Sequence, residues 1–252
     1  MTNSILNKLN EIEREHGIQI LYACESGSRG WQFASPDSDY DVRFIYIRPY
    51  DSYLSIFQPD DNLSFPINDE LDIYGWDLRK VLQLMRKSNT TPFEWLQSPI
   101  IYREAVGFRQ SLWELSNHYF SRRSNTHHYL GIAKGALETI TGDDEIKIKK
   151  LFYVLRPLLA AKWCVERNSI APMTIDALMP LLPADMRAAI TELIARKATA
   201  PESFMIRIDP ALKQFIEAEF ARCEGESASY PKDLFDKKQL DSFFIQTITG
   251  KA

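Results

Sequence analysis

The sequence predicts an α+β protein in which a half that mixes strands and helices precedes an all-helical half. In the first hundred residues, short apolar runs rich in β-branched and aromatic residues alternate with segments of helical spacing. After about residue 105 the strand signal fades, and the remaining segments carry helical spacing separated by prolines. The chain shows no internal repeat and no low-complexity segment.

The first half begins with an amphipathic helix over residues 6–16, because Leu6, Leu9 and Ile12 share one side. Residues 18–24 (IQILYAC) form an apolar run that ends at ESGSRG, which predicts a buried strand. Residues 41–47 (DVRFIYI) predict a second strand, which stops at Arg48-Pro49.

The alternation of this second strand divides its side chains between two faces. One face carries Val42, Phe44 and Tyr46, and the other carries Asp41, Arg43, Ile45 and Ile47. Residues 71–76 predict a third strand, and residues 78–87 predict a helix. The second half predicts helices over residues 109–120, 126–141, 145–166, 175–182, 184–196, 210–223 and 237–249.

Composition excludes several classes of protein. The 252 residues are 45% hydrophobic and 25% charged, which is typical of globular proteins and not of disordered or collagen-like chains. A net charge of −4 argues against a strongly basic nucleic-acid coating protein. The three cysteines are widely spaced and form no C-x-x-C pair, so they indicate neither a disulfide framework nor a zinc cluster. The start is polar and helical, unlike a signal peptide, and we expect a cytoplasmic protein that makes no membrane contact.

Residues 27–41 contain the candidate phosphate-binding and metal-binding residues. Gly27-Ser28 follows the first strand, where a glycine lets backbone N–H groups and a hydroxyl approach an anion. Asp39 and Asp41 open the second strand two residues apart, so on an extended chain their carboxylates point the same way. A divalent cation relieves the repulsion of such a pair, and oxygen ligands suit magnesium. A phosphate-binding loop beside a pair of metal-binding carboxylates is the arrangement that phosphoryl or nucleotidyl transfer requires.

An Asp-x-Asp pair alone is weak evidence, since such turn-rich segments often only cap and solvate a chain. The order of a strand, Gly-Ser, about ten residues and then Asp-x-Asp at a second strand strengthens the interpretation. Gly27-Ser28 with Asp39-Tyr40-Asp41 resembles the signature of the DNA polymerase β-type nucleotidyltransferase superfamily. The strings GSRGWQFASPDSDYDVRFIYIRP, YGWDLRKVLQLMRKSN, FEWLQSP and KKLFYVLRPLLAAKW resemble its RNA-ligase-associated, RNA repair pathway family, over roughly residues 18–167.

The resemblance implies a small mixed sheet with flanking helices and a trailing helical domain. It implies a nucleotidyltransferase catalytic domain over residues 1–105 and a helical domain over residues 106–252. It also implies Mg²⁺ as cofactor and a nucleoside triphosphate, ATP foremost, as substrate. By position, Gly27 and Ser28 would hold the phosphates, and Asp39 and Asp41 would bind metal.

The superfamily usually has a third carboxylate on a neighbouring strand, which we assign to Asp72 because it lies in the third predicted strand. There it would bind metal and act as a general base. Asp77 and Glu70 are its rivals. Asp77 is also a good cap for the following helix, and we keep it as a secondary nucleotide-binding residue.

Other basic residues are candidates for phosphate binding. Arg29 could clamp a phosphate or form a surface ion pair with Glu25 or Asp37. Residues 122–167 carry nine lysines and arginines against five acids. In this stretch Lys149, Tyr153 and Arg156 share a helix face, with Lys150 beside them. This set could bind triphosphate or an RNA end, or it could be a solvated face over an apolar stripe.

We therefore expect a magnesium-dependent enzyme that moves a nucleoside monophosphate from a nucleoside triphosphate to a hydroxyl, with release of pyrophosphate. The acceptor could be an RNA end in RNA repair or processing, a small molecule or a protein side chain. The alternative is a non-catalytic nucleotide- or RNA-binding module, or a toxin-neutralising protein, with the same fold.

Overall fold

The structure, a computed structural model, describes residues 1–66, 70–138 and 145–250. Its strands are β1 (Gln19–Glu25), β2 (Tyr40–Ile47), β3 (Asn62–Ser64), β4 (Leu71–Asp77), β5 (Ile101–Glu104), β6 (Glu145–Lys147) and β7 (Met205–Arg207). Its α-helices are α1 (Thr2–His16), α2 (Gly27–Gly30), α3 (Tyr50–Leu54), α4 (Leu78–Arg86), α5 (Thr90–Leu96), α6 (Phe108–Ser116), α7 (Arg122–Glu138), α8 (Ile148–Arg167), α9 (Ile175–Leu178), α10 (Ala184–Lys197), α11 (Pro210–Ser229) and α12 (Lys238–Thr249).

The chain forms two compact units, each built from more than one segment. The first unit consists of Met1–Gly27, Asp39–Tyr119 and Leu234–Ala252, and the second consists of Ser28–Ser38 and Phe120–Asp233. The first unit thus takes in α6 and α12, which the sequence-based division after residue 105 assigns to the helical part. The second unit takes in the short segment between Gly27 and Asp39.

The first unit is built on a five-stranded sheet with the order β3-β4-β2-β1-β5. The strands β2 and β4 run parallel, whereas β1 pairs antiparallel with both β2 and β5, and β3 pairs antiparallel with β4. This is the small mixed sheet with flanking helices that the sequence predicts, so the α+β class is confirmed.

The two faces of β2 divide as the alternation predicts. Val42, Phe44 and Tyr46 are fully buried in a core that includes α1 and the β4 residue Ile73. Phe44 pairs in register with Gly75, where a Cβ atom would lie only 2.1 Å from the Phe44 ring. The glycine therefore makes room for an aromatic side chain that fills the core.

The second unit is largely helical. Helices α7 and α8 pack along each other, and α11 packs against both. Helix α8 contributes the apolar stripe that the sequence predicts, because Leu151, Val154, Leu155 and Leu158 are at most 1% exposed. The exception to an all-helical region is the antiparallel pair of β6 and β7.

The elements that sequence patterns did not predict are short. β3, β6 and β7 have three residues each, too few for a period-two alternation to be recognised. β6 also runs directly into α8, so its residues were assigned to that helix. The sequence patterns also give no prediction for α3, α5 or β5. The predicted end of α7 at Thr141 lies outside the described residues, and no helix among the described residues is long and apolar enough to cross a membrane.

Candidate active site

The parallel register of β2 and β4 brings two of the predicted carboxylates together. Asp41 and Asp72 are direct partners in this register. Register partners in a sheet extend their side chains from the same face, here the face opposite the α1 core. Both side chains are partly accessible, at 25% for Asp41 and 28% for Asp72. Asp72, which the sequence analysis assigns as the third carboxylate on a neighbouring strand, thus lies on the strand next to Asp41; its catalytic role remains a prediction.

Arg43 joins the two carboxylates. One guanidinium nitrogen, Nη2, donates to Asp41 Oδ1 at 2.8 Å and to Asp72 Oδ2 at 2.7 Å. The other, Nη1, donates to the carbonyl oxygens of Val42 and Asp72. The guanidinium also lies over the Tyr74 ring at 4.1 Å, and its side chain is only 9% exposed. Arg43 thus sets the spacing of the two carboxylates and offsets their repulsion.

Gly27 lies against Oδ2 of Asp41, the carboxylate oxygen that does not accept from Arg43 Nη2. Its φ is +56°, and a Cβ atom there would lie 1.8 Å from Asp41 Oδ2. Only glycine meets both conditions, because other residues disfavour this backbone conformation and would collide with the carboxylate. Asp41 therefore directs Oδ1 to Arg43 and Oδ2 to the start of the Gly-Ser turn.

The other residues of the predicted loop have defined positions. Asp39 is exposed just before β2. Ser28 is buried in the single-turn helix α2, and its carbonyl accepts a hydrogen bond from the Phe33 N–H. Arg29 donates from Nε and Nη2 to the Ser38 carbonyl. Arg29 therefore ties the two ends of the Ser28–Ser38 segment together within the second unit.

Asp77 is at the other end of β4 from Asp72. Five residues separate them, which is about 16 Å along a strand. Asp77 is the N-cap of α4: its Oδ1 accepts from the Arg79 N–H at 2.8 Å, and its Oδ2 accepts from the Tyr53 hydroxyl at 2.9 Å. Burial raises the pKa of this carboxyl above its usual range. The capping role is confirmed, and the structure does not bring Asp77 to the Asp41–Asp72 pair.

Glu70 precedes β4 and is exposed, and its carbonyl accepts a hydrogen bond from the Tyr40 N–H. Its main chain therefore helps to align β2 with β4. This contact gives Glu70 a structural part in setting the register that pairs Asp41 with Asp72.

The basic set on α8 belongs to the second unit and is engaged there. Lys149 Nζ contacts Glu202 Oε2 at 2.5 Å, Lys150 is half-buried, and the Tyr153 ring meets Trp31 edge-on at 5.4 Å. Arg156 is 2% exposed and donates to the Met173 carbonyl. Its guanidinium faces the interior, so we leave Arg156 out of the residues that we propose to bind nucleotide.

The Asp41–Asp72 pair suits Mg²⁺ by its donor chemistry. Magnesium in proteins is commonly held by one or two carboxylates together with substrate phosphates. Asp41 Oδ2 lies against Gly27 at the start of the Gly-Ser turn, and both carboxylates are partly open to solvent. In the described part of the chain, no group of three or more His, Cys, Asp or Glu side chains is arranged to hold a metal. The fit therefore relies on two carboxylates and a phosphate-bearing ligand.

Sequence reasoning missed two residues of this site. Glu25 is fully buried at the end of β1, where its Oε1 accepts from the Asp41 N–H at 2.7 Å and its Oε2 accepts from the Tyr102 hydroxyl. Arg43 was assigned to the Asp41 face but given no role. Arg43 could have been found from its position two residues after Asp41, which places both side chains on one face of the strand. The contacts of Glu25 depend on strand pairing that the sequence does not reveal.

Comparisons with known proteins place the chain in a family. Residues 1–246 match the family model described as RlaP, RNA repair pathway DNA polymerase beta family. The chain is also 43% identical over 254 aligned residues to a Bacillus subtilis (strain 168) protein named uncharacterized protein YcgL. That alignment covers 98% of this chain and 96% of the relative.

Proposed function

Because the chain belongs to the RNA repair pathway DNA polymerase beta family, we propose that it is a magnesium-dependent nucleotidyltransferase. It transfers a nucleoside monophosphate from a nucleoside triphosphate, ATP foremost, to a hydroxyl acceptor. The preferred acceptor is the hydroxyl of an RNA end, in agreement with the RNA repair association of the family. The reaction takes place in the cytoplasm, where nucleoside triphosphates are plentiful.

The observation that carries this proposal is the meeting of Asp41 and Asp72 beside Gly27. The carboxylates come from two adjacent parallel strands, and the absence of a side chain on Gly27 lets Asp41 Oδ2 lie against the start of the Gly-Ser turn. Mg²⁺ bound here would orient the triphosphate and offset the charge that develops on it. Asp41 and Asp72 are the residues that would hold the ion together with the triphosphate, and Asp39 enters the proposed metal set from the Asp-x-Asp motif alone.

The chain's own residues supply the remaining steps. The acceptor hydroxyl attacks the α-phosphorus, a new P–O bond forms, the bond to pyrophosphate breaks, and pyrophosphate leaves. Asp72 receives the hydroxyl proton as general base. Gly27, with Ser28 and Arg29 next to it in the chain, binds the phosphates. The assignment of Lys149, Lys150 and Tyr153 to nucleotide binding is a separate proposal for the second unit. Each of these roles is part of the proposal.

The test is a labelling assay with each α-³²P-labelled nucleoside triphosphate and Mg²⁺, with and without total RNA. Asp41→Asn keeps the size of the side chain but removes its charge, and we expect at least a 100-fold loss of label transfer. The matched control is Asp51→Asn, because Asp51 is an exposed acidic residue in the first turn of α3. This control should transfer label as the unchanged protein does.

The acceptor is read from where the label appears. Label on RNA that depends on Asp41 supports the full proposal. Label on the protein or on a small molecule supports nucleotidyl transfer and contradicts the RNA acceptor. Equal labelling by the unchanged protein and by Asp41→Asn contradicts the proposed site.

One observation favours a second candidate function, in which the protein binds nucleotide or RNA without catalysis. A toxin-neutralising protein with the same fold belongs to this candidate. Arg43 already pairs with both Asp41 and Asp72, so the two carboxylates have a counter-charge without a metal. Nucleotide binding without label transfer or pyrophosphate release would favour this candidate.

A further inference from the structure

Glu25 is a buried carboxylate directly behind the proposed metal ligand Asp41. It is 0% exposed at the end of β1, and it pairs in register with Val42, whose side chain lies in the α1 core. Glu25 is therefore on the opposite face of the sheet from the Asp41 carboxylate. Its Oε1 reaches around the strand end to accept the Asp41 N–H at 2.7 Å.

The hydrogen bond from Asp41 to Glu25 is one of several contacts that hold Asp41 in place. The Asp41 N–H is bound by Glu25, and the Asp41 carbonyl accepts from the Ser26 N–H at 2.8 Å. The carboxylate is held on one side by Arg43 and lies against Gly27 on the other. The main chain of Asp41 is thus held by two hydrogen bonds, and its side chain is positioned by Arg43 and Gly27 while remaining partly accessible.

The second oxygen of Glu25 is also engaged. It accepts from the Tyr102 hydroxyl on β5, and the main chain of Glu25 is bound on both sides as well. Its carbonyl accepts from Ser98 Oγ at 2.6 Å, and its N–H donates to the Ile100 carbonyl. Glu25 is therefore rigid, which makes it suited to transmit a fixed geometry to Asp41.

A buried carboxylate is costly to desolvate, whereas a glutamine would accept the same hydrogen bond from the Asp41 N–H without a charge. We propose that Glu25 is a positioning residue that fixes Asp41 and whose negative charge raises the affinity of the Asp41 site for a divalent cation. The charge acts through the polarised Asp41 amide and through the weakly screened interior. This inference rests on the proposed function, because it takes Asp41 to be a metal ligand.

The test is a titration of the full chain with Mn²⁺ in the presence of an ATP analogue that cannot be cleaved at the α-phosphate, followed by electron paramagnetic resonance of the free ion. A titration of the analogue without protein is subtracted, so that only Mn²⁺ bound to the protein complex is counted. Glu25→Gln keeps the acceptor for the Asp41 N–H and removes the charge. We expect its dissociation constant for Mn²⁺ to rise about tenfold. Tyr102→Phe is the control, because it removes the hydrogen bond from the Tyr102 hydroxyl to Glu25 Oε2 but leaves the charge of Glu25, and we expect a change below twofold.

A purely structural role predicts a different result. If Glu25 only anchors strands, Glu25→Gln would lower the melting temperature and bind Mn²⁺ as tightly as the unchanged protein, and the inference is then wrong. Should Glu25→Gln fail to fold, Glu25→Asp keeps the charge and is expected to bind Mn²⁺ within about threefold. Weaker binding than that by a folded Glu25→Asp also contradicts the inference.

Failure of the proposed function gives a separate signature. If the unchanged protein binds no Mn²⁺, the metal role of Asp41 is wrong and this inference falls with it. If the unchanged protein binds Mn²⁺ and transfers label, but Glu25→Gln binds the ion equally well, only the inference about Glu25 is wrong.

Discussion

At the residue scale, the most constrained position of the candidate site is Gly27. Two independent demands act on it, the positive φ and the contact with Asp41 Oδ2. Gly17 provides a matched comparison, since its φ of +58° is almost the same and no atom lies within 4 Å of its ideal Cβ position. Substituting Gly17 measures the loss of stability from the backbone conformation alone. Substituting Gly27 measures that loss together with the effect of crowding Asp41.

We predict that Gly17→Ala lowers the free energy of unfolding by about 1 kcal/mol, through backbone strain alone. Gly27→Ala should cost about 1–3 kcal/mol more, because the added methyl group must displace the Asp41 carboxylate. It should also lower label transfer about 100-fold, since a displacement near 1 Å at a reacting centre has effects of that size. Urea denaturation and the labelling assay measure the two effects. Equal losses of stability in the two variants would contradict the crowding argument.

The sequence could supply part of this site. Gly27, Asp39 and Asp41 lie close together in the chain, so a local motif reveals them. Asp72 was selected from the pattern of the next strand, with Asp77 and Glu70 as rivals. The contact of Glu25 with the Asp41 amide depends on how β1 ends against β2, and Arg156 was assigned to an exposed face although it is buried. Helical spacing predicts the direction in which a side chain leaves the helix axis, but it does not predict whether other elements bury that side chain.

At the scale of elements, the junction of β4 and α4 depends on Asp77. Its carboxylate caps α4 through the Arg79 N–H and accepts from Tyr53, although it is 4% exposed. Burial raises the pKa of Asp77, while the cap and the neighbouring arginines act to lower it. Because the folded-state pKa is raised, the folded protein binds this proton more readily than the unfolded chain does. The contribution of Asp77 to stability is therefore greatest at low pH and is lost as the pH rises through the raised pKa.

We predict that Asp77→Ala lowers the free energy of unfolding by about 1 kcal/mol through loss of the cap. Asp77→Asn keeps a capping oxygen and cannot ionise. Its stability relative to the unchanged protein should therefore improve as the pH rises from the ordinary carboxyl range towards neutrality. Urea denaturation at a series of pH values between 4 and 8 measures this difference. A difference that does not change with pH would show that Asp77 has the same pKa in the folded and unfolded chain.

Elements with a strong period were predictable, and short ones were not. The apolar side of α4 and the alternation of β2 extend over several turns or residues, so each position supports the others. The three-residue strands β3, β6 and β7 are extended because they pair with another strand. A partner that is distant in sequence leaves no local pattern by which such a strand could be predicted. Helix α12 (Lys238–Thr249) was predictable from its spacing, whereas its packing against α4, with Leu240 near its start at 4% exposure, depends on tertiary structure.

At the scale of the whole molecule, the three cysteines are all enclosed. Cys24, Cys164 and Cys223 are free thiols with 0% exposure. Burial raises the pKa of Cys24 to about 12 and that of Cys223 to about 11, and it raises the pKa of Cys164 as well. Cys24 is in the first unit, whereas Cys164 and Cys223 are in the second. Thiol reactivity can therefore report on the opening of each unit.

We predict that the native protein reacts with Ellman's reagent at pH 8 at least 100-fold more slowly than the denatured chain, which should release three equivalents. The reason is that the reactive form is the thiolate, and both burial and the raised pKa suppress it. Rapid reaction of one thiol in the native protein would show that its surroundings open without global unfolding. Peptide mapping of the modified cysteine would then identify the unit concerned.

The parallel pairing of β2 with β4 also has a consequence for the order of events during synthesis. Asp41 and its partner Asp72 are brought together by a crossover connection, which closes a longer loop than the link from β1 to β2. Contacts between distant segments form later than local ones, because the chain must first lose the entropy of that loop. A nascent chain that has emerged only through β2 can pair β1 with β2, but it has no second carboxylate to meet the first. We therefore expect the reacting centre to be absent from any chain whose synthesis stops before β4, so that a truncated product would not consume nucleotide.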